Sequence, residues 1–233
     1  MSTAASLKNA RKVVAIGRNY ADHVAELNSA RPKQPFFFLK PSTSILLAGE
    51  GPVIRPRGVE LSYEVELALI MGKDVKDVEE SDEKTIYNAI ESYALSIDMT
   101  ARNAQWEAKK KGIPWSICKG FDTFLPISSP IPKSKIPDPH NIELYLSVND
   151  EIKQQDSTNL FLFQIPRMIS DISKVMRIEK GDIIITGTPK GVGPVVPGDV
   201  MKAGIKVDGK EIEESKMEFA VEESKSTYIY AET

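Results

Sequence analysis

The stretch "YEVELALI", Tyr63 to Ile70, decides how this chain is read. Side chains alternate along a strand, so Tyr63, Val65, Leu67 and Leu69 share one face while Glu64, Glu66, Ala68 and Ile70 share the other. The second face turns from acidic to apolar. A fully solvated face would not continue into Ala68 and Ile70, so the two glutamates stand at the mouth of something buried. Side chains two apart on a strand are roughly 7 Å apart. Two partly buried carboxylates at that spacing repel unless a proton or a cation intervenes, and a metal ion is one solution. An edge strand that carries glutamates for solubility has the same alternation. The stretch by itself leaves both readings open.

Working outward, "KVVAIG" from Lys12 reads as a strand and "NSARPKQP" as a turn-rich link able to move, followed by the apolar strand "FFFLKP" that Pro41 ends. Glycine and proline punctuate Gly49 to Gly58, and "VELSYEVELALIMG" then carries one long strand pattern. Residues 82–91 read as helix and "YALSID" as a buried strand. "TARNAQWEAKKKG" reads as a helix with Thr100 near its start, closed by three lysines and Gly112. The five prolines of "LPISSPIPKSKIPDPH" exclude a regular helix or a central strand and predict a surface excursion. "IELYLSVNDEIKQQ" predicts a hairpin turning at Asn149 and Asp150. A helix near 163–176, the apolar strand "GDIIITGT" and further short strands complete the chain. No internal repeat is present. Many short strands with few helices predict an α+β domain dominated by mixed or antiparallel sheet.

The 233 residues suffice for one large domain, expected over 12–233 after a short tail at 1–11. The 33 acidic residues nearly balance the 30 basic ones, the net charge is -3, and no basic run marks a nucleic-acid patch. Nucleic acid is not an expected partner. The single cysteine, Cys118, excludes an internal disulfide framework and suits a reducing compartment. No apolar run approaches the ~18 residues of a membrane span, so no membrane role is expected. The opening "MSTAASLKNARK" is small, hydroxylated, mildly basic and free of acid, like the end of an organelle-targeting segment. It is too short to fix a location by itself, and an organelle and the cytoplasm both stay open.

In "SIDMTARNAQ", Asp98 closes an apolar strand just before a helix, where side chains project into clefts; helix capping is the alternative role. Glu64, Glu66 and Asp98 make an all-oxygen set suited to magnesium or manganese, with positions left for water or substrate oxygens. With only His23 and His140 in the chain, a histidine-rich zinc or iron site is not expected. In "ADHVAEL", Ala21 to Leu27, His23 and Glu26 stand at i and i+3 and can meet. Tyr20, Val24 and Leu27 form the buried stripe of that helix, with His23 on its border and Glu26 nearer water. Spacing alone favours an ordinary surface pair, which is common and weak. "GTPKGVG" lacks the Walker pattern, and Pro194 and Pro197 bar a phosphate-binding helix after it. Cys118 lacks a histidine partner by motif and reads as a buried structural thiol. No G-x-S-x-G nucleophile elbow is present.

Seven motifs, "GRNYADHVAE", "FLKP", "YEVEL", "DMTAR", "KKGIPW", "KGFDTF" and "GDIIITGTPKGVG", occur in this order from near Lys12 almost to the last strand. Together they resemble the fumarylacetoacetate hydrolase domain family, and within it the short, single-domain acylpyruvase and oxaloacetate decarboxylase/tautomerase branch. The resemblance implies a β-rich roll of mixed and antiparallel strands with a few peripheral helices. It implies Glu64, Glu66 and Asp98 as ligands of Mg2+, for which Mn2+ can substitute. It implies Lys119, from "K-x-F", and the pair His23 and Glu26 as catalytic residues, the pair riding on a mobile lid helix near 20–27. Arg18, Asn19, Tyr20, Lys40, Arg102, Gln105 and Thr188 match positions that line the family's substrate pocket. Asn103 stands where the family commonly has aspartate, which removes a charge near the site and is expected to weaken a supporting hydrogen bond without losing a ligand.

The activity so implied is magnesium-dependent chemistry on short 2-oxo acids through an enolate: oxaloacetate decarboxylation, keto–enol tautomerisation and acylpyruvate hydrolysis. His23 would activate water or move the proton, and Lys119 would stabilise negative charge on the enolate or the distal carboxylate. Isomerisation, hydration or aldol chemistry on aromatic or sugar acids is the alternative within the family. An idle binding or scaffold protein on the same fold is the alternative outside enzymes. A homodimer with a largely hydrophobic interface is the implied assembly.

Overall fold

The computed structural model describes residues 4–26 and 30–233. The alternation of the opening stretch separates two cores. Val65, Leu67, Leu69 and Met71 enter the larger apolar cluster. Ala68 and Ile70 face the other way, into a smaller cluster with Val13, Ala15, Ile183 and Ile185. One sheet lies between them, and the Val65–Met71 strand at its centre is buried along its whole length. Such a strand reads as continuous β-branched and apolar sequence because both faces are covered.

Among the described residues this sheet runs Phe36–Lys40, Val13–Gly17, Ile183–Ile185, Val65–Met71, Ile90–Ile97, Leu125–Ile127, Ile45–Leu47, with Ile131–Pro132 beside Ile90–Ile97. It is mixed. Val65–Met71 pairs antiparallel with both neighbours, Leu67 facing Leu95 and Ile70 facing Ile183. Val13–Gly17 is parallel to Ile183–Ile185. A second sheet holds Glu151–Ser157, Glu143–Val148, Val200–Val207, Met217–Glu223 and Val53–Arg55, with Lys210–Glu211 at its side. Its hairpin turns at Asn149 and Asp150, both at positive φ (51° and 66°), as a two-residue turn that follows the strand twist requires.

The run expected to form one long strand over 59–72 is two. Leu61–Tyr63 belongs to a third, three-stranded sheet with Thr100–Ala101 and Gly193–Pro194, and Val65–Met71 to the large one. Glu64 is the residue at which the chain changes sheets. Asp98 occupies the matching break between Ile90–Ile97 and Thr100–Ala101, and its N–H donates to the Glu64 carbonyl at 2.7 Å. Two paired strands leave one sheet for another at the same level, and their breaks place two carboxylates side by side.

Two expectations need correction. The proline-rich stretch is not wholly a surface excursion: Leu125–Ile127 is a buried strand between Ile90–Ile97 and Ile45–Leu47. Pro126 cannot donate to a ladder, and Ser128 supplies the missing regularity, its Oγ accepting from Leu95 N at 2.9 Å and its N–H donating to Leu95 O. The punctuated Gly49–Gly58 stretch likewise contains the strand Val53–Arg55, parallel to Met217–Glu223.

Five α-helices are described: α1 (Ala21–Glu26), α2 (Glu83–Ala89), α3 (Arg102–Lys111), α4 (Ser116–Lys119) and α5 (Ile165–Val175). Leu27, expected on the stripe of the first helix, lies outside the described residues. Gly112 ends α3 in the left-handed conformation at φ 70°, its N–H bonded to Ala108 O, after the three lysines that complement the helix C-terminus.

Candidate active site

Glu64, Glu66 and Asp98 each offer an oxygen, and these lie within 4.8 Å of one another. All three residues are buried, at 6%, 2% and 1% exposure. Burying three carboxylates together demands compensation. Glu64 receives Arg102 on Oε1 at 2.7 Å and Lys119 on Oε2 at 3.0 Å. Asp98 receives Lys40 on Oδ1 at 2.7 Å and Lys119 on Oδ2 at 2.5 Å. Lys119 also donates to Thr100 Oγ1 at 2.7 Å. Burial pushes the Glu64 carboxyl up, but Lys119, Arg102 and His23 outweigh it and hold the group well below the usual carboxylate range. Burial opposes the Lys119 charge, and Asp98 and Glu64 overcome that and raise it above the ordinary lysine value.

Glu66 is the exception. Among the described residues it forms no ion pair, and its partner is a backbone donor, Gly187 N to Oε2 at 2.7 Å. Burial, then Asp98, then Glu64 drive its carboxyl far above the usual range. A divalent cation at the carboxylates would reverse that penalty. The set is all oxygen and the cavity above it has about 20 Å³, space on the scale of one water or small ion. The donor chemistry, the unpaired charge and the room therefore fit a hard divalent metal.

Helix α1 closes over this cavity. His23 is 4% exposed, more deeply set than a border position, and lines the cavity wall. Its Nδ1 lies 3.2 Å from Glu26 Oε2. Glu26 in turn accepts from Gly191 N on Oε1 at 3.0 Å, and Asp22 pairs with Lys190 at 2.7 Å. The loop after Ile183–Ile185 thus holds a site carboxylate through Gly187 and the helix carboxylate through Gly191. Gly187, at φ 96°, leaves no space for a side chain: a Cβ there would stand 2.7 Å from Asn19 Cβ. Asn19 is fully buried and anchors the start of α1, donating to Phe163 O and Thr186 O and accepting from Phe163 N.

Of the seven residues expected to line the pocket, Arg18, Gln105 and Thr188 stand on the cavity wall. Lys40 and Arg102 sit behind the carboxylates, while Asn19 and Tyr20 pack beneath α1. Tyr20 lies edge-on to Phe161 at 5.2 Å, its hydroxyl without a hydrogen bond among the described residues. Asn103 faces away from the carboxylates: its Nδ2 donates to Gly58 O at 2.8 Å and its Oδ1 accepts from Glu60 N at 3.2 Å. These bonds go to backbone rather than to the carboxylates, and the amide supplies a donor that aspartate lacks. Cys118 is a buried thiol donating to Trp115 O, and burial pushes it up to about 11.

Sequence reasoning missed Gly187 and Gly191, because the glycine-rich loop was weighed only as a phosphate binder. It also missed Gln154, whose amide donates to Thr188 Oγ1 and Pro189 O and accepts from Val65 N, tying the hairpin to that loop and to the central strand. Lys109, Phe38 and Trp115 on the cavity wall were missed as well. Lys109 had a signal: with Arg102 and Gln105 it stands at i, i+3 and i+7 on one face of α3.

A buried tricarboxylate centre capped by a histidine-bearing helix, at the junction of sheets in a curled β fold, defines a metal-site class of enzyme-like proteins. Residues 12–216 match the fumarylacetoacetate (FAA) hydrolase C-terminal family, and the chain belongs to that family. It is 51% identical over 217 residues to a mitochondrial oxaloacetate tautomerase of Schizosaccharomyces pombe, covering 93% of this chain and 98% of the relative. It is 50% identical over 196 residues to a mitochondrial oxaloacetate decarboxylase of Dictyostelium discoideum, covering 84% and 88%. Among solved structures, it is similar to a yeast fumarylacetoacetate hydrolase family protein, with TM-score 0.87, 40% identity and coverage of 97% and 99%. A fumarylpyruvate hydrolase of Pseudomonas aeruginosa in complex with Mn2+ and pyruvate matches with TM-score 0.81, 30% identity and coverage of 92% and 91%.

Proposed function

We propose that this protein is a Mg2+-dependent enzyme acting on short 2-oxo acids, with oxaloacetate tautomerisation and decarboxylation as its leading reactions. Residues 12–233 act as one catalytic domain with α1 as its lid. The observation that carries the reading is the set of three carboxylates within 4.8 Å of one another beneath His23. Relatives named for both oxaloacetate reactions, each about half identical to the chain, support the substrate.

Glu64, Glu66 and Asp98 would hold the ion, which when bound withdraws electron density from the keto oxygen of a 2-oxo acid and so makes C3 able to lose a proton or a carboxyl group. Glu26 holds His23 through Nδ1, which leaves Nε2 free to take the C3 proton and to return a proton at the C2 oxygen. Lys119, kept charged by Asp98 and Glu64, offsets negative charge at the inner end of the substrate. Arg102 and Lys40 hold Glu64 and Asp98 in place. Helix α1 excludes water while the proton moves.

Acylpyruvate hydrolysis is the second reading. The neighbour that holds Mn2+ and pyruvate favours it, since pyruvate is the product such a cleavage leaves. There His23 would take the proton of the attacking water. Mg2+ rather than Mn2+ as resident ion, a homodimer and a mitochondrial location, the last supported by the relatives, belong to the same reading. The test is purified protein on a panel of 2-oxo acids with and without Mg2+. Metal-dependent turnover of oxaloacetate is expected, and its absence overturns the reading.

A further inference from the structure

We propose that Lys109 and Arg18 form an anion subsite for the far carboxylate of a dicarboxylic 2-oxo acid, and that this subsite sets the preference for diacids over acylpyruvates with neutral tails. The inference rests on the 2-oxo acid reading above and adds the residue that selects among such substrates.

The cavity over the carboxylates has about 20 Å³, too little for a four-carbon acid. Its neighbour is an open cavity of about 730 Å³, and the two share Arg18, Phe38, Lys109 and Trp115 as a common wall. A substrate whose keto acid end sits at the carboxylates must therefore extend its tail through that wall. Two cations stand there. Lys109 Nζ lies 5.9 Å from the centre of the Trp115 ring and Arg18 Cζ 5.8 Å from that of Phe36. The other cations of the centre, Lys40, Lys119 and Arg102, are all ion-paired with Glu64 and Asp98 at the inner end of the site. Lys109 and Arg18 make no ion pair with a carboxylate among the described residues.

Their placement is built in. Lys109 lies on the face of α3 that also carries Arg102 and Gln105. Arg18 sits at φ 61°, a left-handed conformation that an arginine rarely adopts, at the turn between the Val13–Gly17 strand and α1. Burial lowers the Lys109 ammonium, and Arg18 and Arg102 lower it further by like charge. An entering carboxylate relieves that crowding; a methyl group does not. Aromatic faces of Phe36, Phe38 and Trp115 line the wall and carry the stems of both cations, so a carboxylate there would meet charge-assisted donors.

The test compares oxaloacetate with acetylpyruvate, which ends in a neutral methyl ketone, on the Mg2+-loaded full chain. Lys109→Met keeps the stem against Trp115 and removes the charge. The ratio of kcat/KM for oxaloacetate to that for acetylpyruvate should fall about tenfold, the range of one charged hydrogen bond, chiefly through a higher KM for oxaloacetate. Lys109→Arg should restore the ratio, which a purely structural role would not predict. An unchanged ratio in Lys109→Met, with both substrates turned over by the unsubstituted protein, overturns the subsite and leaves the 2-oxo acid reading standing. Failure of the unsubstituted protein on both substrates overturns the two together.

Discussion

Lys119 Nζ donates to Asp98 Oδ2 at 2.5 Å, so the buried lysine occupies an oxygen of the set that would hold a metal. The ammonium and a divalent ion then compete for the same negative charge. Lys119→Met should leave Mg2+ affinity equal or higher while turnover falls at least about a hundredfold, since a charge-stabilising donor is lost. Titration calorimetry beside an oxaloacetate assay separates the two effects. A parallel loss of Mg2+ affinity would make Lys119 a scaffold of the site rather than a participant.

Glu66 has no cationic partner among the described residues, and its removal should have the opposite effect on Mg2+ affinity. Glu66→Gln should weaken Mg2+ binding by at least about tenfold and abolish turnover, because one of three anionic oxygens is gone. The metal-free variant should melt at the same temperature as the unsubstituted protein or higher, since an uncompensated buried carboxylate has been neutralised. Adding Mg2+ should raise the melting temperature of the unsubstituted protein more than that of the variant at the same concentration. Full activity of this variant after chelator treatment would remove Glu66 from the centre.

On the proposed mechanism, His23 and Glu26 should weigh unequally on the two chemistries. His23→Ala should lower acylpyruvate hydrolysis by about a hundredfold to ten-thousandfold, the contribution of a positioned base, with Mg2+ affinity nearly unchanged. Decarboxylation consumes no nucleophilic water and should lose less. Glu26→Gln should resemble His23→Ala more mildly, since it keeps the packing and removes the charge that orients the ring. Equal losses in both reactions would mean that α1 acts only by closing.

A pH-dependent contribution to stability is expected at Glu107 on α3. Hydrogen bonds from Lys111, then Tyr230, then Thr233 hold its carboxyl at about 2, below the usual 4.5. A depressed carboxylate stabilises the fold at pH above its unfolded value, and the contribution disappears as pH falls through about 2. The melting-temperature gap between the unsubstituted protein and Glu107→Gln should be full above about pH 5 and shrink steadily toward pH 2. A gap independent of pH would show that the amide loses shape rather than charge.

Much of this site was readable because strand alternation is local. The placement of Glu64 and Glu66 opposite Val65 and Leu67 follows from a period of two, and the two apolar clusters keep that division. The neighbourhood of Asp98 was readable only as the end of a strand. What could not be read is where the chain changes sheets: nothing in the apolar pattern of 59–72 marks Glu64 as a break, since both flanking strands are buried. Pro126 misled for a related reason, because the rule against proline in a central strand assumes that the ladder has no side-chain substitute, and Ser128 provides one. The backbone donors Gly187 and Gly191 escaped because a main-chain N–H carries no sequence signature of its own. Lys40 and Arg102 were assigned to substrate by resemblance, and their burial against the carboxylates could be known only from packing.

The antiparallel pairing of Val65–Met71 has an outcome for quality control in the cell and in the test tube. A slip of one residue would turn Leu67 toward the carboxylate pocket and send Glu66 into the apolar cluster. Such a molecule could be compact and rich in sheet, yet it would assemble no three-oxygen cage. Metal uptake at this site would therefore count correctly registered chains, which spectroscopy of secondary structure cannot distinguish from near misses.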